Sequence, residues 1–297
     1  MSNTAAQHPS PREFRQIAIQ AAWEAGRPLI DVFRSRAVHS DMEVSTKTST
    51  HDLVTRHDGA TEEALALALT TAVPDSRVTG EEQGARGTGS LEWIVDPIDG
   101  TSNFAHGFAM FSLSIAAVFE GDVIAGVVHD PINRLTFSAD DDGAYLHSPH
   151  REVRLDPSTP DPRPARPDAE LNLMTSYPSA EVIAQEGTLA LEAFGEMVST
   201  FSTVRRVVSG ALELCHAAAG WADVVLGVDT NPWDIAAGML ILRRAGGSYL
   251  AYGNPEHSTP TEPDHLLPHY LGMAPGVDSP AARRFINGAS ARRFSHS

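Results

Sequence analysis

Two aspartates stand three residues apart directly after a short apolar run. Asp96 and Asp99 follow Trp93-Ile94-Val95, a run that is typical of the end of a buried strand. The strand cannot simply continue through Pro97, because proline fixes φ and has no N–H to donate. Gly100 then permits a tight turn with exposed N–H groups. Paired carboxylates suit a hard cation such as Mg²⁺, and exposed N–H groups suit a phosphate, so the stretch indicates phosphoryl chemistry; a plain solvated turn is the competing interpretation.

Two further acidic elements favour the chemical interpretation. Glu81 lies in the segment Thr79-Gly80-Glu81-Glu82, and Asp234 comes two residues after Pro232. Because Pro232 is placed where a helix would start, Asp234 falls in the first helical turn, where the helix dipole alone would favour it. Ends of strands and helices often meet at one edge of an α/β sheet. We therefore expect four acidic positions to converge there: Glu81, Asp96, Asp99 and Asp234.

Several motifs in a fixed order resemble the inositol monophosphatase family, whose members are Mg²⁺-dependent, lithium-sensitive phosphatases of sugar and polyol phosphates. The resemblance covers roughly residues 10–255, and its long central motif is highly specific. The matching pieces are Lys47, Asp52-Leu53-Val54-Thr55, Asp58, Gly80-Glu81-Glu82, Trp93 to Phe104, Trp233-Asp234 and Ala245-Gly246-Gly247.

The resemblance implies a site for two or three Mg²⁺ ions. Glu81, Asp96 and the main-chain carbonyl of Ile98 would hold the first ion. Asp96, Asp99 and Asp234 would hold the second, with Asp96 bridging the two. Glu81 would also serve a weaker third ion through water. A water activated by the bound cation would be the nucleophile, since a cation lowers the pKa of its water.

The resemblance also implies how the water and the substrate are held. Thr101 and Asp58 resemble the pair that orients or deprotonates the attacking water, and with Glu81 they form the expected catalytic set. The backbone at Gly100 and Thr101 would bind the phosphate. The substrate's alcohol would contact three residues at the start of a later helix: Val208, Ser209 and Gly210.

Substrate identity depends on one departure from the family pattern. Gly227 stands where inositol-preferring members carry a glutamate that binds ring hydroxyls, and glycine has no side chain for that contact. Asp229 is an alternative source of it. The resemblance predicts inositol 1-phosphate as the substrate. Because the contact from position 227 is lost, it predicts this within a broad range of polyol phosphates. Histidinol phosphate is the alternative, and fructose 1,6-bisphosphate and adenosine 3′,5′-bisphosphate are weaker ones. A non-catalytic regulatory protein should have damaged ligand positions, and all are intact here.

Composition agrees with an enzyme that acts on small molecules. The chain has 297 residues, 42% of them hydrophobic, and a net charge of -16, which argues against binding to nucleic acid or to anionic membranes. The lone Cys215 cannot form an intramolecular disulfide and is expected to be a buried apolar residue. Without an apolar signal core near Met1, a cytoplasmic location is expected. The resemblance adds a homodimer.

Sequence patterns predict the division of the chain and its fold class. An α+β half over 1–155 would carry the main metal motifs, a Pro-rich linker would span 156–169, and an α/β half over 170–297 would complete the site. The pattern alone supports an α/β or α+β class, and the resemblance implies a layered αβαβα sandwich. Helices are predicted over 13–36 (interrupted or kinked at Gly26 and Pro28), 61–73, 179–200, 209–220 and 280–286, and strands over 111–119, 123–129, 135–139, 143–146, 171–176, 222–226 and 269–274.

Overall fold

The computed structural model describes residues 9–35, 44–46, 53–155, 165–253 and 262–294. Three sequence-based expectations therefore lie outside the described residues. They are the family-like positions Lys47 and Asp52, and residues 156–164 of the predicted linker.

A large, mostly antiparallel sheet forms from the first half of the chain. Its eight strands have the order β10-β9-β8-β7-β6-β5-β3-β4, and the β3–β5 pair is its one parallel neighbour pair. A separate two-stranded ladder joins β1 and β2. The strands are β1 Val44–Thr46, β2 Leu53–Thr55, β3 Ser76–Gly80, β4 Gly84–Gly87, β5 Leu91–Asp99, β6 Ser112–Phe119, β7 Asp122–Asp130, β8 Leu135–Ala139, β9 Ala144–His147 and β10 Glu152–Leu155.

Two helices, α1 (Pro11–Ser35) and α2 (Arg56–Ala72), cover the outer face of this sheet. The expected interruption of α1 is wrong, because the helix continues through Gly26 and Pro28, and the alternative of a kink there stays a prediction. Proline removes one intrahelical hydrogen bond, and the buried face of α1 against β7 offsets that loss. Helix α2 starts earlier than predicted, so Asp58 lies in its first turn, where the dipole favours an acidic residue.

A second, five-stranded sheet forms from the other half. Its order is β12-β11-β13-β15-β14; β11 is parallel to both its neighbours, and β15 is antiparallel to both of its own. The strands are β11 Asn172–Thr175, β12 Thr203–Arg205, β13 Val224–Gly227, β14 Ser248–Tyr252 and β15 His269–Met273. The helices are α3 Thr101–His106, α4 Ala180–Glu186, α5 Thr188–Thr200, α6 Gly210–Ala218, α7 Pro232–Arg244 and α8 Pro280–Phe294.

The layers confirm the predicted αβαβα sandwich. Helices α6 and α7 lie between the two sheets, and one buried apolar cluster joins them to both. Helices α5 and α8 cover the far side of the small sheet. The region 179–200 is largely helical, as expected, and consists of two helices that meet at Gly187, which has a positive φ of 61°. No helix in the described part of the chain is long and apolar enough to cross a membrane. The division into two halves stays a prediction.

Candidate active site

Strand β5 carries Asp96 and Asp99 into the interior through a β-bulge. The sequence predicted that the strand could not simply continue through Pro97. Strand β5 extends to Asp99, but its register with β6 shifts between Asp96 and Asp99. Asp96 pairs with Ser114 and Asp99 with Ser112, so β5 has one more residue than β6 between these pairs. The bulge tolerates Pro97, since the extra residue owes no ladder hydrogen bond. Both aspartates are buried as a result.

The start of α6 holds the carboxylate of Asp99. The hydroxyl of Ser209 donates to its Oδ2 at 2.5 Å, and the N–H groups of Gly210 and Ala211 donate at 3.1 and 3.0 Å. The Ser112 hydroxyl adds a donor at 3.3 Å. Burial nevertheless raises the pKa of Asp99 to about 6. The carboxylate is therefore fixed in place but still lacks a full countercharge.

Asp234 reaches the same place from the start of α7. Pro232 occupies the first turn, and Asp234 forms a capping box with Asn231, whose backbone N–H donates to Oδ2 at 2.8 Å. The Ser114 hydroxyl donates to the carbonyl of Trp233 at 2.9 Å, which ties the helix start to β6. Burial, followed by the charge of Asp99, raises the pKa of Asp234 to about 8. The residue is both a helix cap and a site carboxylate.

The three aspartates form one cluster, which we call the inner acidic cluster: Asp96, Asp99 and Asp234. One carboxylate oxygen from each lies within 4.8 Å of the others. Burial raises the pKa of Asp96 well above its usual value, and the charges of Glu81, Asp99 and Asp234 raise it further. In the described part of the chain, no basic side chain forms an ion pair with any of the three. Buried oxygen ligands without a countercharge fit a hard divalent cation such as Mg²⁺.

Glu81 approaches this cluster from the end of β3. It directly follows Gly80, and its charge contributes to the raised pKa of both Asp96 and Asp234. The buried carboxylate of Glu62, on α2, accepts hydrogen bonds from the N–H groups of Glu82 at 2.7 Å and of Gln83 at 3.0 Å. These two bonds fix the turn that carries Glu81. Sequence reasoning missed Glu62, because it resembles any polar helix residue.

Gly80 makes the approach of Glu62 possible. A Cβ on this residue would lie 2.3 Å from the carboxyl carbon of Glu62, which is closer than atoms can pack. Position 80 therefore has to be glycine for the turn after β3 to keep its shape.

Thr101 lies between a carboxylate and a main-chain carbonyl. Its Oγ1 is 2.9 Å from Oδ1 of Asp58 and 2.9 Å from the carbonyl oxygen of Ile98. A hydroxyl has one proton, so it can donate to only one of these oxygens at a time. When Thr101 donates to Asp58, the Ile98 carbonyl is left for another partner and the Thr101 oxygen can accept a hydrogen bond from water. The predicted pair of Thr101 and Asp58 is thus in direct contact.

The turn before α6 lies against Gly100. A Cβ on Gly100, whose φ is 95°, would approach the carbonyl oxygen of Val208 at 3.1 Å. The Asn103 side chain donates to the carbonyl of Val207 at 2.6 Å and so connects α3 to this turn. Val208 has a φ of 60°, which is costly for a β-branched residue, and the residue is 42% exposed. The predicted phosphate-binding and alcohol-binding residues are therefore neighbours, and Asn103, which sequence reasoning missed, connects them.

Asp229 and Cys215 have other surroundings. The carboxylate of Asp229 is paired with Arg293, and its backbone N–H donates to Nδ1 of His269 at 3.1 Å. Its charge is therefore already compensated. Cys215 is completely buried, as predicted, and burial raises the pKa of its thiol well above the usual value, so it is not a nucleophile.

Comparisons with known proteins agree with this geometry. Residues 10–280 match the model of the inositol monophosphatase family. A protein of Pasteurella multocida (strain Pm70) named Nus factor SuhB is 36% identical over 234 residues, 78% of this chain and 82% of that protein. The fructose-1,6-bisphosphatase/inositol-1-monophosphatase of Aquifex aeolicus (strain VF5) is 30% identical over 246 residues, 82% of this chain and 88% of that protein.

Solved structures match over nearly the whole chain. Extragenic suppressor protein suhB from Bartonella henselae has a TM-score of 0.73 at 27% identity and covers 93% of this chain and 97% of its own. The IMPase of Thermotoga maritima has a TM-score of 0.72 at 25% identity, with coverage of 95% and 98%. The resemblance seen in the motifs is thus confirmed, and the chain belongs to the inositol monophosphatase family of metal-dependent phosphatases.

Proposed function

We propose that this protein is a Mg²⁺-dependent phosphomonoesterase that hydrolyses small polyol phosphates, with inositol 1-phosphate as the first candidate. The observation that carries the proposal is the inner acidic cluster, three carboxylates, two of them on buried residues, without a basic partner among the described residues. Such a cluster is unfavourable unless a cation binds it. The neighbouring pair of Thr101 and Asp58 supplies groups that can handle the proton of a water molecule.

Each ligand has a proposed place. Glu81, Asp96 and the carbonyl of Ile98 would hold one Mg²⁺, and Asp96, Asp99 and Asp234 a second; a third ion would be held by Glu81 through water. Bound Mg²⁺ would stabilise charge on the phosphoryl group and the leaving oxygen, and would lower the pKa of water. The start of α6 fixes the carboxylate of Asp99 by hydrogen bonds, and the start of α7 carries Asp234. These fixed orientations limit the reorganisation needed when a cation binds.

The chain's own groups would orient the reactants. Thr101 would pass its own proton to Asp58 and accept a proton from the attacking water. The same contact would orient the water toward the phosphorus. The N–H groups of Gly100 and Thr101 would hold the phosphate oxygens. The alcohol would lie against Val208, Ser209 and Gly210, next to the turn at Gly100. Because these groups are tied together by Asn103, the water, the phosphate and the alcohol would be held in one arrangement.

The test is phosphate release from a panel of monoesters, with and without Mg²⁺ and with added Li⁺. The panel contains inositol 1-phosphate, histidinol phosphate, fructose 1,6-bisphosphate and adenosine 3′,5′-bisphosphate. We expect Mg²⁺-dependent release that Li⁺ inhibits. Mg²⁺-independent release would contradict the proposed site, and no release from any ester would favour a regulatory role.

Histidinol phosphate is the second candidate because of Gly227. Glycine at the end of β13 removes a side chain that would otherwise select for ring hydroxyls. A higher kcat/KM for histidinol phosphate than for inositol 1-phosphate would decide for this candidate.

A regulatory role and the quaternary state can be tested beside catalysis. Several relatives, including the Pasteurella multocida one, carry the name Nus factor SuhB, and those names belong to those proteins. We propose that this chain is catalytic, cytoplasmic and homodimeric. Sedimentation analysis of the purified protein would give its mass, and a monomer at micromolar concentration would contradict the dimer.

A further inference from the structure

Glu81, the first proposed metal ligand along the chain, lies on a loop of three residues, 81–83, between β3 and β4. All three backbone N–H groups of this loop have acceptors. The N–H of Glu81 donates to the carbonyl of Val95 at 3.3 Å, and the other two donate to the carboxylate of Glu62 at 2.7 and 3.0 Å. Strand β5 and helix α2 therefore hold the loop in place together.

The carboxylate of Glu62 has its own countercharge. Its side chain is fully buried, and Nη2 of Arg86 lies 3.4 Å from its Oε1. Arg86 belongs to β4, the strand that leaves the loop, so one carboxylate connects α2 with the loop and with the strand that follows it. The three aspartates of the inner acidic cluster have no such partner among the described residues. Glu62 therefore orients the chain rather than binding a cation.

The same face of α2 also contacts the hydroxyl that we propose holds the water. Asp58 and Glu62 are four residues apart on the helix, so their side chains lie on one face, about 6 Å apart along the axis. Both residues are 0% exposed, and Oδ1 of Asp58 accepts from the hydroxyl of Thr101 at 2.9 Å. Further along α2, Leu65 and Leu69 are buried in the apolar cluster that the helix shares with β5. Helix α2 thus sets the distance between the loop that carries Glu81 and the pair of Thr101 and Asp58.

We propose that Glu62 is a positioning residue for the metal site, because it holds Glu81 at a fixed distance from the pair of Thr101 and Asp58. This inference rests on the proposed function. Mg²⁺ requires nearly ideal ligand geometry, so a carboxylate on a loop supports it only when that loop is held still. Glu62 touches neither the cation nor the ester; it acts through the two N–H groups that it accepts.

The test is Mg²⁺ binding to Glu62→Gln, measured by titration calorimetry with Mg²⁺ alone and no ester. Glutamine keeps the size of the side chain, but its amide has one acceptor oxygen, and its NH₂ group would face an N–H donor. At least one of the two bonds to the loop should therefore be lost. We expect the dissociation constant for Mg²⁺ to rise about tenfold or more, as is typical when the support of a metal ligand is removed.

The next residue of the helix provides the matched control. Glu63 also pairs with Arg86, at 2.7 Å, but its side chain is 66% exposed, and among the described residues it accepts no backbone N–H of the loop. Glu63→Gln removes the same charge from the same helix. It should leave the Mg²⁺ dissociation constant within about twofold of the wild type.

A double variant separates positioning from general damage. In a Glu81→Gln background, Glu62→Gln should weaken the remaining Mg²⁺ binding no further, because the ligand that it positions is already gone. A side chain that merely stabilises the fold would lower the affinity by the same factor in both backgrounds.

Three results would each overturn the proposal. They are an unchanged Mg²⁺ affinity in folded Glu62→Gln, an equal loss in Glu63→Gln, and the same further loss in the Glu81→Gln background. Circular dichroism with EDTA shows whether Glu62→Gln is folded. If it is not, Glu62→Asp, which keeps the charge but is one methylene shorter, is judged by the same criteria. Failure of the proposed function is seen separately, as a wild-type protein that binds Mg²⁺ and releases no phosphate from any ester.

Discussion

The described residues contain two groups of three aspartates, and within that part of the chain one group is paired with a basic side chain while the other is not. The inner acidic cluster has two buried members and no basic partner in the described residues. The second group, Asp140 to Asp142, also brings three carboxylate oxygens within 4.8 Å of one another. There, the buried Nε of Arg15 donates to Oδ2 of Asp140 at 2.6 Å, and the other two aspartates are exposed.

The difference lies in how each group balances its charge. Arg15 also contacts Ser138 and lies 4.3 Å from the ring centroid of Tyr145, so a guanidinium that is held in place compensates the buried member of the second group. In the inner acidic cluster, hydroxyls and backbone N–H groups supply only dipoles, and burial keeps the carboxylate pKa values high. Proximity of acids thus does not by itself indicate a metal site; the lack of a built-in countercharge does.

The largest expected effect comes from Asp96→Asn. Removing the carboxylate that both proposed ions share should lower Mg²⁺-dependent kcat/KM by about 10³-fold or more, because charge stabilisation is lost. The fold should persist, since the amide is isosteric and removes a strained buried charge. Phosphate release and circular dichroism are the measurements. Asp142→Asn, in the second group, is the matched control and should change neither phosphate release nor the circular dichroism spectrum. Activity retained in Asp96→Asn would refute the metal assignment.

The second effect breaks the internal ion pair. Arg15→Met leaves Asp140 buried without its partner, so we expect the free energy of unfolding to fall by about 3–5 kcal/mol. Urea denaturation measures it. Adding Asp140→Asn to Arg15→Met should restore part of the lost free energy of unfolding, because the unpaired buried carboxylate is removed. A loss below about 1 kcal/mol would mean that the pair is no more than a surface contact.

The third effect concerns the hydroxyl beside the inner acidic cluster. Thr101→Ala should lower kcat about 10²-fold with little change in stability, since it removes the group that orients water. Thr101→Ser keeps the hydroxyl and should retain most activity. Initial rates at saturating Mg²⁺ give the comparison, and equal rates for the alanine and serine variants would remove Thr101 from the mechanism.

The last effect is a pH dependence that differs with and without metal. The folded-state pKa values of Asp99 (about 6) and Asp234 (about 8) lie above the usual 3.8. At a pH between the usual and the raised pKa of each carboxyl, the folded, metal-free protein therefore binds more protons than the unfolded chain. Its free energy of unfolding should therefore fall as the pH rises from about 4 to 8, by at most about 1.4 kcal/mol per unit for each carboxyl.

Mg²⁺ should reverse this trend, because it binds the ionised carboxylates. Thermal unfolding with EDTA or with Mg²⁺ across this pH range measures both slopes. Asp96→Asn should weaken the Mg²⁺ effect. A metal-free protein that becomes more stable as the pH rises would contradict the pKa assignments.

The sequence predicted the acidic positions and their convergence, because these lie in local motifs at strand and helix ends. It did not predict the parts that depend on contacts between distant segments. Glu62 fixes a turn twenty residues away, and Asn103 reaches Val207 across the molecule. The extension of β5 past Pro97 also depends on its partner β6, since a bulge exists only relative to a neighbouring strand.

Val208 gives a consequence for selection experiments. Its φ of 60° costs a β-branched residue about 1–3 kcal/mol, and glycine or asparagine would adopt it more easily. A library screened for heat resistance alone should therefore replace this valine early. If its exposed isopropyl group contacts the alcohol, the same replacements should raise KM while leaving kcat nearly intact. Replacements at position 208 would then raise thermostability and lower the affinity for substrate.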